Sequence, residues 1–194
     1  MSTAAAPTPA TQTTTWTIDP AHTHAGFAVR HLMISTVRGR FTDVSGAVVS
    51  ADPTTGQGSV DIAINVASID TREPQRDAHL RSADFFDADN YPTITFRSTR
   101  VEPGADEGTF RVIGDLTIRG TTREVVLNVE SQGHVRDPWG GERVGFSATA
   151  KIKRSEFGLK WNVVLESGGL TVGDDVKIEI EAELIKQAAQ PAQA

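Results

Sequence analysis

Apolar and polar residues alternate with a period of two along most of the chain. Between 60 and 66, Val60, Ile62, Ile64 and Val66 fall on one face and Asp61, Ala63 and Asn65 on the other, the pattern of a strand with one side in a core and one in water. Val176, Ile178, Ile180, Ala182 and Leu184 alternate as strictly with Lys177, Glu179, Glu181 and Glu183. Looser versions predict strands near 24–33, 36–50, 93–102, 109–119, 122–135 and 143–154, with a short one over 16–19. Gly, Pro, Asp or Asn residues at 53–58, 103–108, 120–121 and 137–141 supply the reversals between them, so successive strands are expected to be antiparallel neighbours. Residues 73–83 break the rhythm. Pro74 suits a first helical position, Ala78 and Leu80 follow, and Thr71 is available as a cap, which predicts one short helix.

About eight strands, one helix and regular turns fit an all-β antiparallel barrel, because closure removes the edges that a sandwich would have to protect. On the inward face of 146–152 lie Phe146, Ala148, Ala150 and Ile152; on that of 110–118 lie Phe110, Val112, Gly114, Leu116 and Ile118. Small residues among large ones leave room for a ligand cavity; the alternative is a taper filled by neighbouring aromatics. Phe27, Phe41, Phe96, Phe110 and Phe146 fall on inward faces, and Phe85-Phe86 follows the helix as an apolar pair suited to closing one end.

Composition narrows the function. Residues 1–15 carry no charge and are mostly Ala, Thr and Pro, and 187–194 are Gln-, Ala- and Pro-rich, so a disordered leader and tail are expected to flank a barrel domain over 16–186. A domain of that size buries roughly 70% of its unfolded surface and needs neither metal nor disulfide. The net charge is −6, with 19 Lys and Arg interleaved among 25 Asp and Glu, which disfavours nucleic acid as a partner. The basic stretches 38–40 and 151–154 read as solvated strand faces. With no cysteine, thiol catalysis, iron–sulfur clusters and Cys-bearing zinc sites are excluded. Neither a membrane-length apolar run nor a signal sequence is visible, so no stable membrane insertion and a cytoplasmic location are expected.

The five histidines do not assemble a metal site by spacing. His22 and His24 would share a face, but Asp19-Pro20 makes that region a turn, and no compact cluster supplies further ligands. His31 shares the inward face of Phe27 and Val29, where a core hydrogen bond is the ordinary role. His79 reads as part of a charged helix face with Asp77 and Arg81. The run Asp84, Asp87, Asp89, Asn90 meets Tyr91-Pro92 where a calcium loop needs another oxygen ligand and a glycine. No nucleophile elbow, P-loop or dinucleotide fingerprint occurs.

Several ordered blocks resemble the YceI-like polyisoprenoid-binding family. They are Trp16-Thr17-Ile18-Asp19-Pro20-Ala21-His22-Thr23, then Phe27, Val29 and His31-Leu32, then Val37-Arg38-Gly39-Arg40-Phe41. The similarity continues through 76–87, 91–98 and 114–122 and ends with Arg154-Ser155-Glu156-Phe157-Gly158. The resemblance implies an extended lipocalin-like barrel whose apolar pore holds the isoprenoid tail of a quinone or prenyl lipid. It carries no catalytic residues. Many relatives are exported to the periplasm, from which the leader of this chain departs.

Residues and resemblance together lead to a non-catalytic binding protein for a long polyisoprenoid, without cofactor or metal. Its expected walls are Phe27, Val29, Ile62, Ile64, Phe96, Leu116 and Phe146, with Ala148 and Ala150 where the chain would pass. Phe85, Phe86 and Trp161 are expected near the ends and His31 as a polar contact to a head group. Two other classes stay open: a metal- or quinone-dependent enzyme using His31 or the His22/His24 pair, and a filled-barrel interaction protein. A homodimer is compatible with either binding reading.

Overall fold

The computed structural model describes residues 13–164 and 169–188. Its strands are β1 (Thr14–Ile18), β2 (His24–His31), β3 (Ser35–Phe41), β4 (Val44–Ser50), β5 (Ser59–Asn65), β6 (Ile69–Asp70), β7 (Thr93–Pro103), β8 (Thr109–Ile118), β9 (Thr121–Arg136), β10 (Glu142–Lys153) and β11 (Val172–Lys186); the helix α1 spans Pro74–Arg81. The strands β1-β4-β5-β7-β8-β9-β10-β11 are neighbours in that order, and β1 also pairs with β11, so eight antiparallel staves close on themselves. The remaining strands extend three of those staves. β2 continues the course of β1 along β11, β3 pairs with β2 as β4 does with β1, and β6 pairs with β3.

These continuations correct one expectation, a single strand over 36–50. It is broken at Thr42 and Asp43, whose backbone turns to meet the segment after β5: Thr42 N and Asp43 N donate to the Ser68 carbonyl and hydroxyl, and Asn65 N donates to the Asp43 carbonyl. β1 begins at Thr14, so two residues assigned above to the leader belong to the barrel; residues 1–12 lie outside the described residues.

The helix begins at Pro74 as the sequence suggests, but its cap is Glu73, whose carboxylate accepts from Gln75 N. Thr71 acts differently. It is buried, and its N–H and hydroxyl both donate to Asp77 Oδ1, at 2.9 and 2.5 Å, while Arg76 donates to its hydroxyl and carbonyl. Asp77 Oδ1 thus accepts twice and Thr71 is engaged from both sides, which is the condition for placing an aspartate there. α1 is thereby fixed beside β6.

Strand directions define two ends. The β2–β3 turn, α1, the β8–β9 turn and the segment after β10 gather at one; the start of β1, the turns after β4 and β7, the β9–β10 turn and the end of β11 gather at the other. The larger core cluster, with Phe85, Ile94, Phe96, Leu116, Phe157 and Leu159, packs towards the helix end. A smaller one of Trp16, Val144 and Leu184 closes the opposite end.

Candidate functional site: an apolar tunnel

The inward faces of the staves surround a cavity of about 310 Å³. Its walls reach from Pro53, Gln57 and Phe110 at the Trp16 end to Phe86, Leu159 and Val172 at the helix end, which makes it a tunnel along the barrel. Val60, Ile62, Ile64, Ile178 and Ile180 all line it and all are only half-buried, whereas a filled core would bury them fully. The surface they leave uncovered faces the tunnel. Asp61, Asn65, Glu179 and Glu181 are exposed on the outside, so the register follows from alternation as expected.

Of the expected wall residues, Phe27, Val29, Ile62, Ile64, Phe85, Phe86, Phe96, Leu116, Phe146 and Ala148 line the tunnel. Three do not. His31 lies on the right face but at the very end of β2, paired with Ser35 and with the lining residue Val172, and is not itself among the lining residues. Ala150 packs against the core cluster between the lining residues Ala148 and Ile152. Trp161 stacks outside the wall, with its ring centroid 5.2 Å from Phe85 and 4.7 Å from His79.

The expectation that Gly114 leaves volume is also corrected. A Cβ there would lie 2.7 Å from Phe96 Cζ and 2.8 Å from Ser98 Cα, so the Phe96 ring already occupies the space. Gly39 stands in the same relation to its cross-strand partner Phe27. These glycines let aromatic walls lie flat against the opposite strand; Ala148, like Ala25 and Ala182, is a small residue that opens onto the tunnel.

One functional group was missed. Arg154 lines the tunnel and is buried, and the basic stretch containing it is not wholly a solvated face. Counting by twos from Phe146 through Ile152 reaches Arg154 on the inward side, a signal present in the sequence. Its guanidinium donates to four carbonyls: Gly173 at 2.9 Å, Leu159 at 2.6 Å, Trp161 at 2.9 Å and Val172 at 3.3 Å. Burial pushes its pKa down, and Asp174 opposes that shift. With its donors turned to backbone, Arg154 ties the segment after β10 to the start of β11. Thr23 and Gln57 add the other polar side chains at the wall.

The structure separates His22 from His24 and corrects the expectation that no compact cluster of possible ligands surrounds either. His22 Nδ1 sits 2.9 Å from Asp19 Oδ2, and Asp19, His22 and Glu183 bring ligand atoms within 4.8 Å of one another, while His24 is exposed in β2 and outside that group. The cation among them is Arg143. It donates to Asp19 Oδ2 and Asp137 Oδ2, both at 2.8 Å, and to Glu183. The hydrogen bonds from His22 and Arg143 hold the Asp19 pKa down at about 2. The cluster reads as a clasp joining the β1–β2 turn to β10 and β11.

Closed antiparallel staves around an apolar tunnel define a lipocalin-type barrel. The YceI-like domain family model matches residues 16–184, and the chain belongs to that family. It is 40% identical to the UPF0312 protein plu2095 of Photorhabdus laumondii over 72% of this chain and 71% of that one. Among solved structures it is similar to Burkholderia cenocepacia BcnA, with a TM-score of 0.72, 27% identity, and coverage of 86% of this chain and 98% of that one. A polyisoprenoid binding domain from Saccharophagus degradans shares the fold with a TM-score of 0.67 at 16% identity, over 89% of this chain and 98% of that one.

Proposed function

We propose that this protein binds a long-chain polyisoprenoid, the tail of a quinone or prenyl lipid, inside the tunnel and carries or stores it without chemical change. The observation that carries this reading is a tunnel walled by aliphatic and aromatic side chains along its length, whose one charged wall residue, Arg154, is engaged by backbone carbonyls. Such a wall recognises hydrocarbon. Burying about fifteen methylene-sized groups contributes on the order of 12 kcal/mol before the cost of ordering the ligand, enough for useful affinity without a charged anchor. The polyisoprenoid binding recorded for the Saccharophagus degradans domain supports the ligand class, and family membership supports binding rather than catalysis.

The test is organic extraction of protein purified from its own host, with lipid identification by mass spectrometry, for the parent and for Ala148→Phe. The ring should narrow the tunnel at a cost of about 1–3 kcal/mol in stability. A folded Ala148→Phe protein should carry at least about tenfold less lipid than the parent. An undiminished load in the folded variant would mean that the ligand lies outside the tunnel, and a parent extract without isoprenoid would refute the ligand class.

A further inference from the structure

The two ends of the tunnel are covered in different ways. At the helix end the covering segments are tied to one another by hydrogen bonds. Arg119 donates to the Ala83 and Gly158 carbonyls at 2.8 and 3.3 Å, Arg81 donates to the carbonyls of Ala67 and Ile69, and Arg154 holds its four acceptors. Part of the Trp16 end is fixed by the packing of Trp16, Val144 and Leu184. The β4–β5 turn covers the rest.

That turn begins as one turn of 3-10 helix, Pro53–Thr55, capped by the Asp52 carboxylate, which accepts from Thr54 N at 2.9 Å and from the Thr54 hydroxyl at 2.6 Å. Thr55 donates to the Asp52 carbonyl through both its N–H and its hydroxyl, and Gly56 N donates to the Pro53 carbonyl. Asp52 and Thr55 are exposed, whereas Pro53 is buried and lines the tunnel together with Gly56. The crest is thus a small rigid body, polar outside and apolar inside. In the ring of eight staves β9 lies directly opposite β4, yet the turn reaches it, so the crest crosses the tunnel's end. It rests there on apolar contact alone. A Cβ on Gly56 would lie 2.3 Å from Phe110 Cδ1, which shows how closely the backbone sits on that ring. Among the described residues, every hydrogen bond made by 51–56 stays within the turn. The base is held by the Ser50 hydroxyl, which donates to the Gln57 carbonyl. Of the described lining residues only Gln57 and Gly58 are exposed, so the tunnel meets solvent beside that base.

We propose that the β4–β5 turn is a lid, and that the ligand enters and leaves the tunnel beneath it, past Gln57. Lifting the crest parts it from Phe110 and β9 without breaking a hydrogen bond, whereas a way out at the helix end would break several. Gly56 and Gly58, with φ of 70° and 138°, flank Gln57 and supply the backbone freedom of a hinge. The proposal rests on the tunnel being the binding site, not on which lipid fills it.

The test is stopped-flow fluorescence of the full-length protein with N-phenyl-1-naphthylamine, an apolar dye that brightens on leaving water. Asp52→Ala removes the cap from the outer side of the lid. It should raise the rates of dye entry and exit together, about threefold or more, and leave the equilibrium affinity within about twofold. Gln57→Trp, which places a ring at the mouth, should slow both rates by about the same factor. Arg119→Gln, which loosens the helix-end cover, should leave both unchanged. Ala148→Phe separates this proposal from the reading beneath it, because it should weaken dye affinity by narrowing the tunnel. Undiminished affinity in folded Ala148→Phe would mean that the dye lies elsewhere, and the tunnel as binding site would fall and the lid with it. If Ala148→Phe weakens affinity but either folded mouth variant exchanges dye at the parent's rates, the tunnel stands and the lid is overturned. Faster exchange in Arg119→Gln than in Asp52→Ala would also overturn it, by placing the portal at the helix end.

Discussion

Each end of the barrel is secured by one arginine, and the two are held in opposite ways. Arg143, at the Trp16 end, sits among three carboxylates, and they raise its pKa. Arg154, at the helix end, is surrounded by carbonyl oxygens, and burial lowers its pKa. The first is an electrostatic clasp whose partners titrate and can be screened; the second is a bracket of dipoles that neither acid nor salt reaches directly. The apolar lining of the tunnel explains the choice at the helix end, where a carboxylate at the wall would have introduced a further charge to desolvate.

Arg154→Met should break this contrast most severely. Four buried or half-buried carbonyls lose their donor, so urea unfolding should show a loss of about 3 kcal/mol or more, little changed between low and high salt. Arg143→Met should cost less, and high salt should shrink the difference between variant and parent in the same unfolding experiment. It should also let the Asp19 pKa rise from about 2 towards 3.8, which carbon-detected NMR titration would follow. His22→Gln should shift Asp19 in the same direction while leaving the melting temperature near that of the parent. The sign of the pH effect follows from the lowered pKa: the contribution of Asp19 to stability is complete above about pH 4 and is lost as pH falls through 2, so acid should loosen the Trp16 end first. Asp61→Asn sets the baseline. Its partner Arg97 is 2.8 Å away, but both side chains are mostly exposed, and the change should stay within about 0.5 kcal/mol.

Alternation made most of this legible. β5 and β11 face as their residues dictate, because one side of each meets the tunnel and the other water, and a slip of one position would exchange them. The break at Thr42 and Asp43 was not legible, since its cause is Ser68, on another segment. Nor was the true use of Gly114: a small residue on an inward face signals room when read alone, and only the ring of Phe96 shows the room taken. His31 shows what parity leaves out: parity assigns a side of the sheet but not a height along the barrel, and His31, on the inward side, occupies the last position of β2. Arg154 was within reach of parity, but its charge argued for water until its four acceptors were seen.

The pairing of β1 with β11 has a consequence for how the barrel closes. Trp16 faces Lys186 across the seam, and Gln187 N donates to the Thr15 carbonyl at 2.9 Å. The seam joins the two ends of the barrel domain in sequence, so it pays the largest loop-closure entropy of any stave contact. Until that seam pairs, β1 and β11 are free edges and the staves do not enclose a tunnel. Opening the seam alone would expose the inward faces of both edge strands from the side, a way in that the closed barrel does not have.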